Sequence, residues 1–319
     1  MNKLARISVR VPLMATMVKA NRLSSISTFG STAGITSKEI GSKYTPNYRS
    51  YAMKDGKVIS YFHDIPLGLD LAAKEANMIV EIPRWSNGKF EIDTSLQGNP
   101  IVQDIKKGKV RFVKNLFPYK GYIHNYGAFP QTWEDPSYKD ADVDYYGDND
   151  PVDVCEIGTT VFKLGDVIRV KILGSIALID DGELDWKIIA ISVNDPLAKE
   201  LNDIDDVYAK CPGLLESTRK WFRDYKLPDG KPKNKFAFNG NYKNQLQTLD
   251  VIKKCSNHWQ NLMLGTVTHG KLPNTANTTM KSSKGYFESF NEKDLLPYGK
   301  APDAPIPNEV DLNCYTTKL

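Results

Sequence analysis

The chain has 319 residues, with 42 Lys and Arg against 38 Asp and Glu, 41% hydrophobic residues and four cysteines. This apolar content with nearly balanced charge excludes an intrinsically disordered chain, and the length allows one large domain or two small ones. The net charge of +4 conceals an uneven distribution along the chain.

From Met1 to Thr36 there is no acidic residue, while Lys3, Arg6, Arg10, Lys19 and Arg22 are basic and Ser and Thr are frequent. An Arg-bearing, Ser-rich, acid-free start has the composition of a mitochondrial transit peptide, so residues 1–36 are expected to be a leader. A secretory signal fits less well, because no uninterrupted apolar stretch of about 7–15 residues follows the first charges. Removing the five cations takes the remaining charge from +4 to −1.

Asn77 to Pro83 is short and apolar, and Lys89 to Ile92 follows Asn87-Gly88, which predicts a hairpin around an Asn-Gly turn. On the second strand Phe90 and Ile92 share one face and Lys89 and Glu91 the other. Alternation from Gly108 to Phe117 turns Val110 and Phe112 inward and Arg111 away from them. Gly165 to Asp180 and Asp185 to Val193 are rich in Val, Ile and Leu and form a second predicted hairpin across Asp181-Gly182-Glu183-Leu184. Short strands at this spacing, ahead of any long helix, predict a small barrel.

The period then changes. Asp195-Pro196 opens a helical stretch, and after Pro212-Gly213 the residues Leu214, Leu215, Thr218, Trp221, Phe222 and Tyr225 recur at helical spacing until Leu227-Pro228-Asp229-Gly230. A further helix is predicted from Asn244 to about Leu264, with Leu246, Leu249, Ile252, Cys255 and Trp259 on one side. Residues 265–319 are polar and broken by prolines, so a loosely held tail is expected rather than a second domain. Strands first and helices second make the fold class α+β.

Cys155, Cys211, Cys255 and Cys314 lie 56, 44 and 59 residues apart, a spacing that suits four free thiols rather than a zinc site or a disulfide framework. No apolar run approaches the roughly 18 residues needed to span a bilayer, so no membrane insertion is expected. His63, His124, His258 and His269 have no zinc spacing. Phosphate-cradling and dinucleotide-binding glycine loops and a nucleophile elbow are missing from the sequence. Basic and aromatic residues are not massed in a stripe, so no nucleic-acid partner is expected.

Between Glu134 and Glu156 there are nine acidic residues and one Lys139, centred on Asp148-Asn149-Asp150-Pro151-Val152-Asp153 with Val154 and Ile157 beside it. Carboxylates interleaved with apolar residues are pinned to a core, and three within six residues repel one another unless a cation neutralises them. Oxygen ligands of this kind select Mg²⁺ or Mn²⁺, held through a few carboxylates together with water and substrate phosphates. A calcium loop of the EF-hand type would need a Gly at its sixth position and a Glu at its twelfth, and both are missing. Asp180 and Asp185 bracket the second hairpin's turn and should lie close together, with Lys187 on the same face as Asp185. Lys89, Arg111 and Lys226 add cations suited to a phosphorylated substrate.

The run Asp148–Val154, D-N-D-P-V-D-V, resembles the diagnostic motif of the soluble family I inorganic pyrophosphatases. V-E-I-P-R-W at 80–85, G-K-F-E-I at 88–92, R-F-V at 111–113, G-Y-I-H-N-Y-G-A-F-P-Q-T-W-E-D-P at 121–136, D-D-G-E-L-D-W-K at 180–187 and W-F-R-D-Y-K-L-P-D-G-K-P at 221–232 are similar in order and spacing to that family's eukaryotic branch. With the leader, the likeness is to its fungal-type mitochondrial form. It covers about residues 41–264, within a catalytic domain placed at 37–264.

The resemblance implies a five-stranded OB-like β-barrel with flanking helices, Mg²⁺-dependent hydrolysis of pyrophosphate to two orthophosphates, a homodimer and residence in the mitochondrion, in the matrix. It implies several metal ions per site, with Mn²⁺ or other divalent ions able to substitute. Asp148, Asp153 and Asp185 match ligands of the tightest metal, and Asp180 and Glu91 match carboxylates serving the others. Asp150 matches the acceptor of the attacking water's proton. Lys89, Arg111, Lys187, Tyr225 and Lys226 match positions holding the two phosphoryl groups, and Tyr122 and Tyr126 match the site's tyrosines, Tyr126 with Arg111 and Asp150 in the catalytic set. Glu81, Asp104 and Glu183 match acidic residues lining the cavity. Leu184 departs from the Thr common in relatives, and Tyr119-Lys120 replaces a His-His pair near the subunit contact. A nucleotide or polyphosphate hydrolase of the same metal class, and a catalytically silent barrel, are the alternatives that the residues alone leave open.

Overall fold

The computed structural model describes residues 32–268 and 270–315. Most of the leader lies outside the described residues. Thr36, its last residue, already belongs to a strand, Thr36–Ile40.

Five strands form a ring. In chain order they are β1 (Glu75–Ile82), β2 (Asn125–Ala128), β3 (Asp153–Glu156), β4 (Val167–Asp180) and β5 (Glu183–Ser192). β1 pairs with β2 and β4, β2 with β3, and β4 with β5, all antiparallel, while β3 and β5 run parallel and close the circle. This is the OB-like arrangement expected for the fold. The ring strands read as continuous apolar runs because both faces are buried. Met78, Val80, Val154, Ile188 and Ala190 belong to one apolar cluster, with Leu249, Ile252 and Cys255 of a covering helix. Their neighbours Ile79, Ile82, Cys155, Ile189 and Ile191 belong to the other cluster. Gly127 permits the closest approach in the ring, since a Cβ there would meet the Ile79 carbonyl oxygen at 1.9 Å.

Helix α1 spans Ile204–Lys210, α2 Leu214–Asp224 and α3 Gln245–Leu264. α2 buries Leu215, Thr218, Trp221 and Phe222, as its spacing predicts. α3 starts on a reciprocal cap in which the Asn244 side chain accepts from the Gln247 N–H and the Gln247 side chain from the Asn244 N–H. Leu246, expected on the buried side, is 62% exposed. It falls outside the arc of Leu249, Ile252, Cys255 and Trp259, and Gln245 takes the buried place instead, donating to the Ile172 carbonyl.

The Asn87-Gly88 hairpin does not form. Phe90–Ile92 pairs with Ile101–Gln103, in a second sheet completed by Thr36–Ile40, Arg49–Lys54 and Lys57–Ile59. Asn87 is occupied elsewhere: its backbone carbonyl accepts from Val113 N–H, and its side chain donates to Val113 O and Asn115 Oδ1. Val110 and Phe112 are only half-buried, and Val113 and Leu116 are the apolar residues of that stretch that are buried.

The chain beyond Gly265 is not loosely held. Ala276, Phe290 and Leu295 pack with Ile40, Tyr51, Met53 and Val58 in a third apolar cluster. Asn313–Cys314 pairs with Asn115–Leu116. Its few apolar residues are widely spaced along the chain, so no local period announces that they converge on one patch.

Candidate active site

One cavity of about 230 Å³ opens at the end of the ring. Every residue singled out from the sequence lines it except Asp104: Glu81, Lys89, Glu91, Arg111, Tyr122, Tyr126, Asp148, Asp150, Asp153, Asp180, Glu183, Asp185, Lys187, Tyr225 and Lys226. Asp104 stands behind Arg111, accepting from its Nη1 at 3.0 Å, with Lys89 Nζ 3.8 Å away.

The fold explains the convergence. The parallel β3–β5 pairing sets Asp153 opposite Lys187, and Asp185 shares the Lys187 face two residues earlier. Asp181-Gly182 is a two-residue turn with positive φ at both positions, as a type I′ hairpin requires. Asp180 therefore faces Glu183 rather than Asp185, whose own partner is Leu178, one step further on the same face. Leu184, where the resemblance leads one to expect Thr, is buried in an apolar cluster and leaves the lining intact.

The acidic loop is shaped by its own polar groups. Asn149 has φ of 75° and donates its N–H to the Glu134 carbonyl, while the Glu134 N–H donates to the Asp150 carbonyl. Asp148 Oδ1 accepts from the Asp150 N–H. This exchange brings in Glu134, a residue the sequence motif had not singled out. Glu134, Asp148 and Asp185 offer oxygens lying within 4.8 Å of one another. Glu134 is 4% exposed; one of its oxygens accepts from the Trp186 N–H at 3.0 Å, and Oε2 has no partner among the described residues. Asp153 accepts from the Tyr126 hydroxyl and from Lys187, whose ammonium also pairs with Asp185.

Nine of the lining side chains are carboxylic and four are cationic, an imbalance that either bound cations or protonation of carboxyls must relieve. Burial drives the Asp148, Asp150, Asp185 and Glu134 carboxyls well above the usual carboxylate range. Neighbouring charge adds to this: Asp150 and Asp153 act on Asp148, Glu91 on Asp150, and Asp148 and Asp185 on Glu134, while Lys187 opposes the rise at Asp185. Burial works against the Lys187 ammonium, but Asp153 and Asp185 outweigh it and hold its pKa high. Lys89 pairs with Glu91, and Lys226 with Asp180. Within the central run Asp150 stands apart from Asp148 and Asp153: its carboxylate makes no hydrogen bond or ion pair among the described residues and is open to the cavity. A buried carboxylate oxygen without a donor, beside two more carboxylates, fits a hard divalent cation.

A family model described as inorganic pyrophosphatase matches residues 78–260. The inorganic pyrophosphatase of Kluyveromyces lactis is 52% identical over 277 residues, covering 86% of this chain and 96% of its own. The mitochondrial inorganic pyrophosphatase of Saccharomyces cerevisiae is 55% identical over 242 residues, covering 74% and 78%. The solved structure of the Schistosoma japonicum inorganic pyrophosphatase superposes with a TM-score of 0.84 at 45% identity, over 88% of this chain and 100% of that one.

Proposed function

The chain belongs to the inorganic pyrophosphatase family and is a metal-dependent diphosphatase that hydrolyses pyrophosphate to two orthophosphates, and we propose that Mg²⁺ is its metal and that the cavity residues divide the work as follows. Asp148, Asp153, Asp185, Asp180 and Glu91 hold the divalent ions, with Glu134 beside Asp148 and Asp185. Bound divalent cations lower the pKa of water and neutralise phosphoryl charge. Lys89, Arg111, Lys187 and Lys226 hold the phosphoryl oxygens together with Tyr122 and Tyr225. The Tyr122, Tyr126 and Tyr225 hydroxyls, whose pKa values burial raises, remain donors at neutral pH. Phosphoryl transfer asks little covalent chemistry of protein, so placing charge in line with the breaking bond is the main task.

Asp150 takes the proton of the attacking water. The observation that carries this assignment is its unpaired carboxylate, the one acid of the central run with no donor or cation holding it, pushed upward by burial and by Glu91. A base poised nearer neutral pH is better matched to that transfer. Asp150→Asn is expected to keep the fold and lower kcat for pyrophosphate with Mg²⁺ by roughly 10²-fold or more. Turnover within about twofold of the parent would remove Asp150 from this role. Chelation with EDTA should abolish phosphate release, and Mg²⁺ should restore it.

Mitochondrial residence, in the matrix, is supported by the acid-free leader and the mitochondrial yeast relative. Removal of residues 1–36 would take only the first residue of the strand Thr36–Ile40. A homodimer is supported by large apolar side chains left at the surface, Trp85 at 55% and Leu312 at 64% exposure among them. Sedimentation of the purified protein tests it. Among the described residues no helix is long and apolar enough to cross a membrane.

A further inference from the structure

We propose that His124 is a positioning residue for the phosphate-holding end of α2, acting through a hydrogen bond to Thr218. The inference rests on the placement of Tyr225 and Lys226 in the phosphate site given above.

His124 is 7% exposed and lies between Tyr122 and Tyr126, both of which line the cavity. Its Nε2 is 2.7 Å from Thr218 Oγ1. Thr218 is fully buried in α2, and its hydroxyl donates to the Leu214 carbonyl at 2.8 Å. The hydroxyl's one hydrogen is thus committed, and the imidazole donates from Nε2. Burial and the positive charge of Arg84 take the His124 pKa down to about 3, so the ring stays neutral wherever the enzyme works.

Besides Thr218, α2 buries the apolar Leu215, Trp221 and Phe222 and, at its last position, Asp224, which pairs with the adjacent Arg223. The side chains of Tyr242 and Asn234 donate to its Leu215 and Phe222 carbonyls, and neither belongs to the Tyr122–Tyr126 segment. Apolar burial is non-directional and tolerates small slides of a helix along its seat. A buried hydrogen bond does not, because any slide leaves two desolvated polar groups unpaired. From Thr218 to Tyr225 the helix rises about 10 Å. At that end Tyr225 Oη lies 3.4 Å from Asp180, and Lys226 pairs with the same carboxylate. One bond therefore ties the segment bearing Tyr122 and Tyr126 to the helix presenting Tyr225 and Lys226. Aromatic contacts run alongside: Tyr122 meets Trp221 at 5.1 Å with the rings tilted by 53°, and Trp221 stacks on Tyr225 at 4.9 Å and 15°.

Steady-state kinetics on pyrophosphate with saturating Mg²⁺ test the pin. Thr218→Val keeps size and branching and removes the acceptor; His124→Phe keeps a ring and removes the donor. Each is expected to raise KM about tenfold with a smaller change in kcat, since a holding group common to ground and transition state is displaced. Thr218→Ser should return KM to the parent value. In a Lys226→Met background, Thr218→Val should raise KM by clearly less than tenfold, since only Tyr225 is then left to displace. A lowered Tm with KM unchanged in both variants would reduce His124 to a structural residue and overturn the proposal. So would an undiminished tenfold rise from Thr218→Val in the Lys226→Met background. If Lys226→Met alone left KM unmoved, the phosphate-site assignment would fall, and the pin with it.

Discussion

Glu134 shows how far single-residue chemistry depends on neighbours distant in sequence. Nothing in Trp133-Glu134-Asp135-Pro136 marks the glutamate as different from the acidic residues around it; backbone bonds to the Asp148–Asp150 loop place it beside Asp148 and Asp185. Glu134→Gln preserves the Trp186 contact and removes one of three crowded charges, so the fold should hold or gain slightly. The Mg²⁺ concentration for half-maximal activity should rise by about 10-fold or more, in line with lost support around metal ligands; a titration curve superimposed on the parent's would exclude Glu134 from the metal set. His63 sets a different expectation. Its Nδ1 accepts from Trp259 Nε1–H at 2.9 Å and its Nε2–H donates to the Asn274 carbonyl at 2.9 Å, while burial takes its pKa to about 4. In the unfolded chain the ring protonates near 6.5, so between about pH 6.5 and pH 4 the unfolded state binds the extra proton. The neutral ring's contribution is complete above that window and is lost as pH falls through it, at about 1.4 kcal/mol per pH unit. Thermal unfolding at about pH 7 and about pH 5 should show a visibly shallower acid loss in His63→Gln than in the parent. Equal slopes would show that His63 does not titrate this way.

The β4–β5 hairpin joins local signal to site geometry more directly than any other element. Gly182 has φ of 98°, a value that L side chains avoid at a cost of about 1–2 kcal/mol, and the turn it makes holds Asp180 and Asp185 in their register. Gly182→Ala should therefore lower Tm by a few degrees and kcat/KM along with it; a parent-like Tm would mean that the turn relaxes freely. This hairpin was legible in the sequence because two apolar runs flank a turn pair, and α2 and α3 were legible from their period and caps. Asp148, Asp150 and Asp153 were legible because their mutual repulsion demands explanation within six residues. The pairing of Phe90–Ile92 with Ile101–Gln103 was not, since Asn87-Gly88 carries a turn signal that tertiary bonds to Val113 and Asn115 override. The side of α3 was misread at Leu246 for a related reason: the nearby Gln245 has a carbonyl partner in β4, and a satisfied polar group can take a buried place that an apolar residue then leaves.

At the scale of the whole molecule the C-terminal 50 or so residues act as a strap rather than a trailing end. The Asp64 carboxylate accepts from the backbone and hydroxyls of both Thr278 and Thr279, and the Asn274 carbonyl meets His63. Further on, Gly41 bridges to Lys300, and Phe290 and Leu295 cover Tyr51 and Met53. The Phe290 and Leu295 contacts fall on the sheet whose strand Phe90–Ile92 holds Glu91 next to Lys89, and the Asp64 and His63 contacts on the turn that follows its strand Lys57–Ile59, yet no described residue beyond Gly265 lines the cavity. Burying Phe290, Leu295 and Val310 alone contributes about 1.5–3 kcal/mol each, a large share of a typical domain's net stability. A chain ending at residue 268 should accordingly unfold at least 10 °C lower and bind an apolar dye on the uncovered Ile40–Tyr51–Met53–Val58 patch. At low temperature, where the sheet still holds, its KM for pyrophosphate should stay within a few-fold of the parent, because the charged lining is untouched. A chain that kept its Tm would show the strap to be a passenger; one that lost pyrophosphate binding while still folded would show that the strap sets the position of Lys89 and Glu91 through the sheet beneath it.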